Sequence, residues 1–229
     1  MVLRGLQKTT LLDFPGHVAC TVFTGGCNLR GPFCHNGSLL RAEGGEVLPT
    51  EEFFSFLSKR RGLLEGVCVT GGEPLLQPDI APFLRRIREM GYLVKLDTNG
   101  TRPDVLKELL CEGLVDYVAM DIKNSKEKYL ASSGVSQNIL PDIEKSIALL
   151  REERVPYEFR TTLVYGMQTE EDMKEIGAWL KGVPRYFLQG YTDSPDVLTE
   201  GLSGYTKEET EKLLAAVLPF IPNAKIRGM

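Results

Sequence analysis

The chain has 229 residues, 42% of them hydrophobic and 25% charged, with a net charge of −4. That is an ordinary globular composition, long enough to bury a substantial core, and at this length it is best read as one domain over residues 1–229. Lysines and arginines are scattered; the longest basic run, Lys59-Arg60-Arg61, reads as a solvated helix end, so nucleic acid is not an expected partner.

No secretory signal is read at the start, and no run of about 18 apolar residues occurs, so no membrane association and a cytoplasmic location are expected. In that compartment Cys20, Cys27, Cys34, Cys68 and Cys111 are thiols or metal ligands rather than a disulfide set. The count of two histidines, His17 and His35, excludes a site built from several imidazoles.

In chain order, short β-rich runs alternate with amphipathic stretches. Strands are predicted at 17–23, 66–70, 92–96, 115–120, 158–164 and 186–190. Helices are predicted at 50–61, 78–90, 103–111, 141–153, 169–180 and 206–220. Pro103 stands in the favoured first turn of its helix. Thr206 and Glu209 form a capping box for the last. Six strands separated by helices imply parallel pairing with right-handed crossovers. The fold class is therefore α/β. The unit count suits a parallel sheet curved into a partial barrel, although pattern alone does not separate this from an open doubly wound sheet.

The polar, glycine-rich segments 24–36, 70–74, 97–100 and 121–123 all follow strands. In parallel α/β proteins ligands bind at the carboxyl ends of strands, so these segments are candidate walls of one site. Within the first of them Cys27 and Cys34 are weak evidence alone. Iron–sulfur clusters need several thiolates, and two are too few by that rule. Thr70-Gly71-Gly72-Glu73-Pro74 offers a turn through which backbone can approach a ligand, and a carboxylate for an ammonium. Asp97-Thr98-Asn99-Gly100 reads as an Asx turn, and Asp121 with Lys123 as an ion pair. Arg160 is a charge inside a strand-like run and needs a partner, either a ligand carboxylate or a salt bridge at a barrel mouth. Gln189 and Tyr191 end the last strand and are candidates for the pocket wall or for a satisfied polar edge. Cys68 and Cys111 read as core residues.

The segment from Gly26 to Asn36 resembles the CxxxCxxC loop of radical S-adenosylmethionine (SAM) proteins, with Gly31 where the second cysteine belongs. Gly5-Leu6-Gln7-Lys8, Leu12-Asp13-Phe14-Pro15-Gly16, Phe23-Thr24 and Cys34-His35-Asn36 are similar to the activating proteins of anaerobic ribonucleoside-triphosphate reductase. Activators of pyruvate formate-lyase share much of this. The resemblance runs through nearly the whole chain and implies a partial (β/α)6 parallel barrel. It implies a [4Fe–4S] cluster held by Cys27 and Cys34, and SAM on its open iron. Phe33 would lie near the adenine, and Gly71, Gly72 and Glu73 at the SAM amino group. Asp97, Thr98 and Asn99 would form the SAM pocket, with a monovalent cation there in some relatives. Asp121 and Lys123 resemble a DxK motif, and Arg160 is a candidate for the SAM carboxylate. The reaction implied is reductive cleavage of SAM and abstraction of a glycine hydrogen on a glycyl-radical enzyme, with a flavodoxin or ferredoxin as electron donor.

Gly31 cannot replace a thiolate. Cys20 is a poor substitute, because it sits in the first predicted strand and reads as a small buried residue. Three readings of Gly31 stand: an engineered or erroneous position in an active member, a natural one in a degenerate protein that still binds SAM, or a site completed by water or an outside ligand. The intact remainder of the motif set favours the first. A SAM-binding or partner-binding protein without a cluster is the alternative of a different class.

Overall fold

The computed structural model describes residues 1–40 and 46–228. Six βα units follow one another. They are β2 (Ala19–Thr24) with α1 (Thr50–Ser58), β3 (Gly66–Gly71) with α2 (Ile80–Glu89), and β4 (Leu93–Thr98) with α3 (Pro103–Cys111). Next come β5 (Tyr117–Asp121) with α4 (Tyr129–Ser133) and α5 (Leu140–Leu150), β6 (Tyr157–Leu163) with α6 (Glu170–Trp179), and β7 (Tyr186–Gly190) with α7 (Lys207–Val217). Two strands escape the sequence reading. β1 (Leu3–Thr10) pairs antiparallel with β2, and β8 (Lys225–Arg227) adds in parallel beyond β7. The sheet thus has eight strands in sequence order, parallel throughout except at β1. β8 is too short for a periodicity to register, and β1 exposes much of its length, so its alternation is weak.

The strand sequences explain the layering. Side chains alternate across a strand. Val67, Val69, Val94, Leu96, Val118, Met120, Tyr157 and Phe159 point outward into one apolar core beneath the helices. The helices supply the facing stripe: Phe53 and Leu57, Phe83 and Ile87, Leu106 and Leu109, Ile143 and Ile147 are all buried there. At roughly 1.5–3 kcal/mol for each fully buried large apolar side chain, this interface is the main stabilising contribution. The alternate positions, Cys68, Lys95, Asp97, Asp121, Glu158 and Arg160, fall on the opposite face, and ion pairs and hydrogen bonds join them across strands. The inner face is therefore polar, and the bonds reaching from β4 to β6 show the sheet's curvature.

Helix ends follow local chemistry. Both Thr169 with Asp172 and Thr206 with Glu209 form reciprocal capping boxes at the starts of α6 and α7. Pro103 opens α3 as expected. The Leu12–Gly16 motif closes the amino end of the sheet. There Phe14 is buried against Tyr117 and Ala19, and Asp13 accepts from the Thr21 hydroxyl at 2.5 Å.

One cysteine reading needs correction. Cys111, the last residue of α3, is exposed beside the Arg154 guanidinium at 3.3 Å, because its position falls on the solvent side of the helix. Cys68 is buried as a core residue, on the inner face of the sheet, where the Lys95 ammonium lies 3.8 Å from its sulfur. Cys20 is buried within the apolar core, and burial pushes its thiol up to about 12, as a structural cysteine requires.

Candidate active site

A cavity of about 180 Å³ opens at the carboxyl ends of the parallel strands. Its wall includes every residue to which the family resemblance gives a role: Cys27, Phe33 and Cys34 after β2; Gly71, Gly72 and Glu73 after β3; Asp97, Thr98 and Asn99 after β4; Asp121 and Lys123 after β5; and Arg160 on β6. Five consecutive strands deliver them because parallel strands all present their carboxyl ends to the same side of the sheet. Gln189 and Tyr191 do not line it. Tyr191 instead packs behind it against Phe33 and Val164, with its ring 5.1 Å from that of His35.

Hydrogen bonds fasten the loops to one another. Glu73 N donates to Gly26 O at 2.8 Å, and Gly72 N to Thr24 O at 2.8 Å. A Cβ on Gly72 would overlap the Gly26 carbonyl, so only glycine permits this approach. Asn36 Nδ2 donates to Gly71 O at 3.1 Å. Asn99 Nδ2 donates to Asn28 Oδ1 at 3.0 Å and reaches Cys27 Sγ at 3.8 Å. The cysteine loop is thereby held from two sides by the loops after β3 and β4.

Glu73 is 1% exposed. Its Oε1 accepts from Leu75 N at 3.1 Å and from the Thr98 hydroxyl at 2.8 Å, and its Oε2 from Asn99 N at 2.7 Å. A carboxylate has about four acceptor positions, so one remains for a ligand. Burial raises the Glu73 pKa to about 7 against those three bonds. The next three strand ends form an alternating ladder of charge. Lys95 pairs with Asp97. The Arg160 guanidinium bridges Asp97 Oδ2 at 3.1 Å and Asp121 Oδ1 at 2.9 Å. Lys123 pairs with Asp121 Oδ2 at 3.0 Å. Burial disfavours the charge on Asp121, but Lys123 and Arg160 overcome it and hold the carboxyl well below the usual range. Arg160 forms the salt bridge that one sequence reading gives it, and it also lines the cavity. Lys123 and Asp121 pair as expected, at the cavity wall.

At the third ligand position there is no side chain. The space beside Gly31 belongs to the end of α4, a five-residue helix that the sequence reading does not resolve. A Cβ on residue 31 would lie 2.8 Å from the Ser132 carbonyl oxygen. Arg30 N donates to Ser133 O at 2.9 Å, and a Cβ on Gly134, in the left-handed region at φ +66°, would overlap the Arg30 carbonyl. Two glycines thus let two backbones meet. Ser132 and Ser133 both line the cavity. The Ser132 hydroxyl accepts from Asn124 Nδ2 at 2.9 Å, whereas the Ser133 hydroxyl, 0% exposed, has no partner among the described residues.

The cavity wall offers two thiols, Cys27 and Cys34, and the imidazole of His35 as donors suited to an iron–sulfur cluster. Burial pushes the Cys27 thiol up, opposed by the Leu29 N–H at 3.4 Å and by the nearby Lys123 charge. No group of three or more His, Cys, Asp or Glu side chains with metal-binding geometry occurs among the described residues.

Residues 21–180 match the family model of the Radical SAM superfamily. The chain belongs to that superfamily. A Methanocaldococcus jannaschii protein named as a glycyl-radical enzyme activating enzyme is 31% identical over 99% of this radical SAM chain and 95% of its own. The pyruvate formate-lyase-activating enzyme of Clostridium pasteurianum is 30% identical over 63% of this chain and 62% of its own. A 7-carboxy-7-deazaguanine synthase of Methanopyrus kandleri is 31% identical over 91% and 89%. Among solved structures, Streptococcus suis SuiB bound to S-adenosylmethionine superposes with a TM-score of 0.65 at 16% identity, over 90% of this chain and 48% of that one. That likeness supports the fold, and this chain spans about half of SuiB.

Proposed function

We propose that this radical SAM protein acts, as one domain over residues 1–229, to install a glycyl radical on anaerobic ribonucleoside-triphosphate reductase. The observation that carries the reading is the convergence of all twelve residues with a family role on one cavity wall, in a chain similar end to end to a protein named as a glycyl-radical enzyme activating enzyme. A reduced [4Fe–4S] cluster, when bound, supplies one electron to the sulfonium of SAM. Cys27 and Cys34 would hold it as thiolate ligands. The remaining Glu73 acceptor and the Gly71–Gly72 backbone receive the SAM ammonium, Arg160 is the candidate for its carboxylate, and Asp121 and Lys123 complete the SAM or partner site. Phe33, backed by Val164 and Tyr191, offers a face to the adenine.

Asp97, Thr98 and Asn99 shape the pocket floor, and Arg160 positions Asp97 and Asp121. A monovalent cation between those two carboxylates would have to displace Arg160, whose guanidinium already bridges them. The electron donor is a flavodoxin or ferredoxin, and the setting an anaerobic cytoplasm. No helix among the described residues is long and apolar enough to cross a membrane.

Anaerobic incubation with SAM, a reductant and the reductase tests this. Methionine, 5′-deoxyadenosine and a glycyl-radical doublet in electron paramagnetic resonance are expected. A doublet with pyruvate formate-lyase alone would transfer the assignment to that target, which the 30% identity to its activator favours as second reading. SAM binding without iron and without cleavage would leave a cluster-free binding protein.

A further inference from the structure

The Asx turn at Asn99 is one side of a closed ring of hydrogen bonds. Asn28 Nδ2 donates to Thr101 Oγ1 at 2.8 Å, Thr101 Oγ1 to Asn99 Oδ1 at 2.7 Å, and Asn99 Nδ2 to Asn28 Oδ1 at 3.0 Å. One further bond fixes the direction of the ring. Thr101 N also reaches Asn99 Oδ1, at 3.0 Å, and a backbone N–H can only donate. The Asn99 oxygen therefore faces Thr101, and its amide nitrogen faces Asn28. Asn28 must meet that nitrogen with oxygen, which turns its own nitrogen toward the Thr101 hydroxyl. That hydroxyl, receiving from Asn28, gives its proton to Asn99.

The ring joins a firm support to the cysteine loop. Gly100, between Asn99 and Thr101, has its carbonyl held by the Ser146 hydroxyl of α5 at 2.7 Å and its N–H by Thr98 Oγ1 at 3.1 Å. Asn99 N donates to Glu73 Oε2 at 2.7 Å, and the Asn99 amide also reaches Cys27 Sγ at 3.8 Å. Asn99 and Thr101 are buried, whereas Asn28 is exposed. Asn99 lines the cavity and the other two do not, so their effect on a ligand passes through Asn99.

We propose that Asn28 and Thr101 are positioning residues of this site: the one-way ring they close through Asn99 sets the register of the cysteine loop against the Glu73 carboxylate. Losing one member opens the ring and leaves its partners short of a bond, so the three side chains act as a unit. The consequence for SAM rests on the cavity being the SAM site.

The test compares the full chain with Thr101→Val, which keeps the shape and removes the hydroxyl, with Thr101→Ser, which keeps the hydroxyl, with Asn28→Ala, and with Thr101→Val and Asn28→Ala combined. Iodoacetamide labelling of the iron-chelated chain, read by mass spectrometry, gives the rate at Cys27 relative to the exposed Cys111. Calorimetric titration of the anaerobically reconstituted chain gives SAM affinity. Thr101→Val is expected to speed Cys27 labelling by about fivefold and to weaken SAM binding by about tenfold. Thr101→Ser is expected to restore both. Asn28→Ala, where water can stand in for an exposed amide, is expected to shift each by about threefold. The combined variant is expected to match Thr101→Val, because the ring is already open.

Unchanged Cys27 labelling in Thr101→Val would overturn the proposal, as would unchanged affinity in a parent that binds SAM. Thr101→Ser behaving like Thr101→Val would overturn it too, and so would a combined effect equal to the product of the single ones. Asn28→Ala changes an exposed side chain and decides the matter where Thr101→Val fails to fold: parent-like labelling there would overturn the proposal. A parent that binds no SAM, with Cys27 labelling still responding to Thr101→Val, would remove the SAM reading and keep the ring.

Discussion

The two ends of the inner sheet face bury charge in different ways. At the amino end, Glu158 is 0% exposed and receives the Arg227 guanidinium at 2.7 and 3.0 Å and the Tyr117 hydroxyl at 2.8 Å, while Arg227 stacks over Phe187. Every polar group named there has a partner. At the carboxyl end, the ladder from Lys95 to Lys123 is paired too, but beside it stand a free acceptor on Glu73, two thiols and the orphaned Ser133 hydroxyl. A closed set of partners holds a structure together, whereas a set with spare valence is built for something that arrives later.

The sharpest way to break this comparison is Arg160→Ala, which leaves Asp97 and Asp121 without the cation between them. Denaturant unfolding is expected to show a loss of about 3–5 kcal/mol, and calorimetric titration a weakening of SAM binding by about tenfold or more. Arg227→Ala makes the matching cut at the other end. With Arg227 a third exposed, the loss is expected to be smaller, about 2 kcal/mol, and SAM affinity unchanged. A loss of SAM binding in Arg227→Ala would erase the distinction between the two ends.

Glu73 sharpens it through pH. Its pKa in the fold, about 7, lies above the ordinary 4.5, so the folded chain keeps a proton that the unfolded chain has released. Between those values the native state binds more protons, and stability falls as pH rises through the window, by about 3 kcal/mol. Urea midpoints across this range check the slope, and Glu73→Gln is expected to flatten it. SAM binding, which favours the charged carboxylate, is expected to strengthen over the same interval. The smallest effect belongs to a helix cap that does not line the cavity. Thr206→Ala removes the capping box of α7 and is expected to cost about 1 kcal/mol, with no change in SAM affinity.

Much of this is legible in one dimension. Glycines at 71, 72 and 100, the acid at 73 and the DxK pair each follow a strand, and in a parallel sheet that order alone sends them to one side. The six βα units are legible because alternation and helical periodicity persist for several residues in each. What stays hidden is instructive in its particulars. Leu93–Thr98 and Tyr157–Leu163 read as largely apolar strands in which Arg160 is the charge that stands out. Lys95 and Glu158 attract no notice there, although they obey the same alternation. Only the curvature of the sheet gives their face an interior in which a lysine and a glutamate find partners. Cys111 lies at the surface because a helix's buried stripe depends on what packs against it. Ser133 gives no signal at all, since a five-residue helix has too few turns for periodicity.

The sequence by itself determined the order of the six βα units, the loops that carry the chemistry, and the absence of a thiol at position 31, since all of these are local or depend on chain direction. The tertiary structure alone decided which loops meet. Ser133 and Gly31 lie far apart along the chain, and no local pattern links them. They come together because β5 and β2 deliver their following loops to the same rim, and because glycine at 31 and 134 removes the side chains that would have kept the two backbones apart.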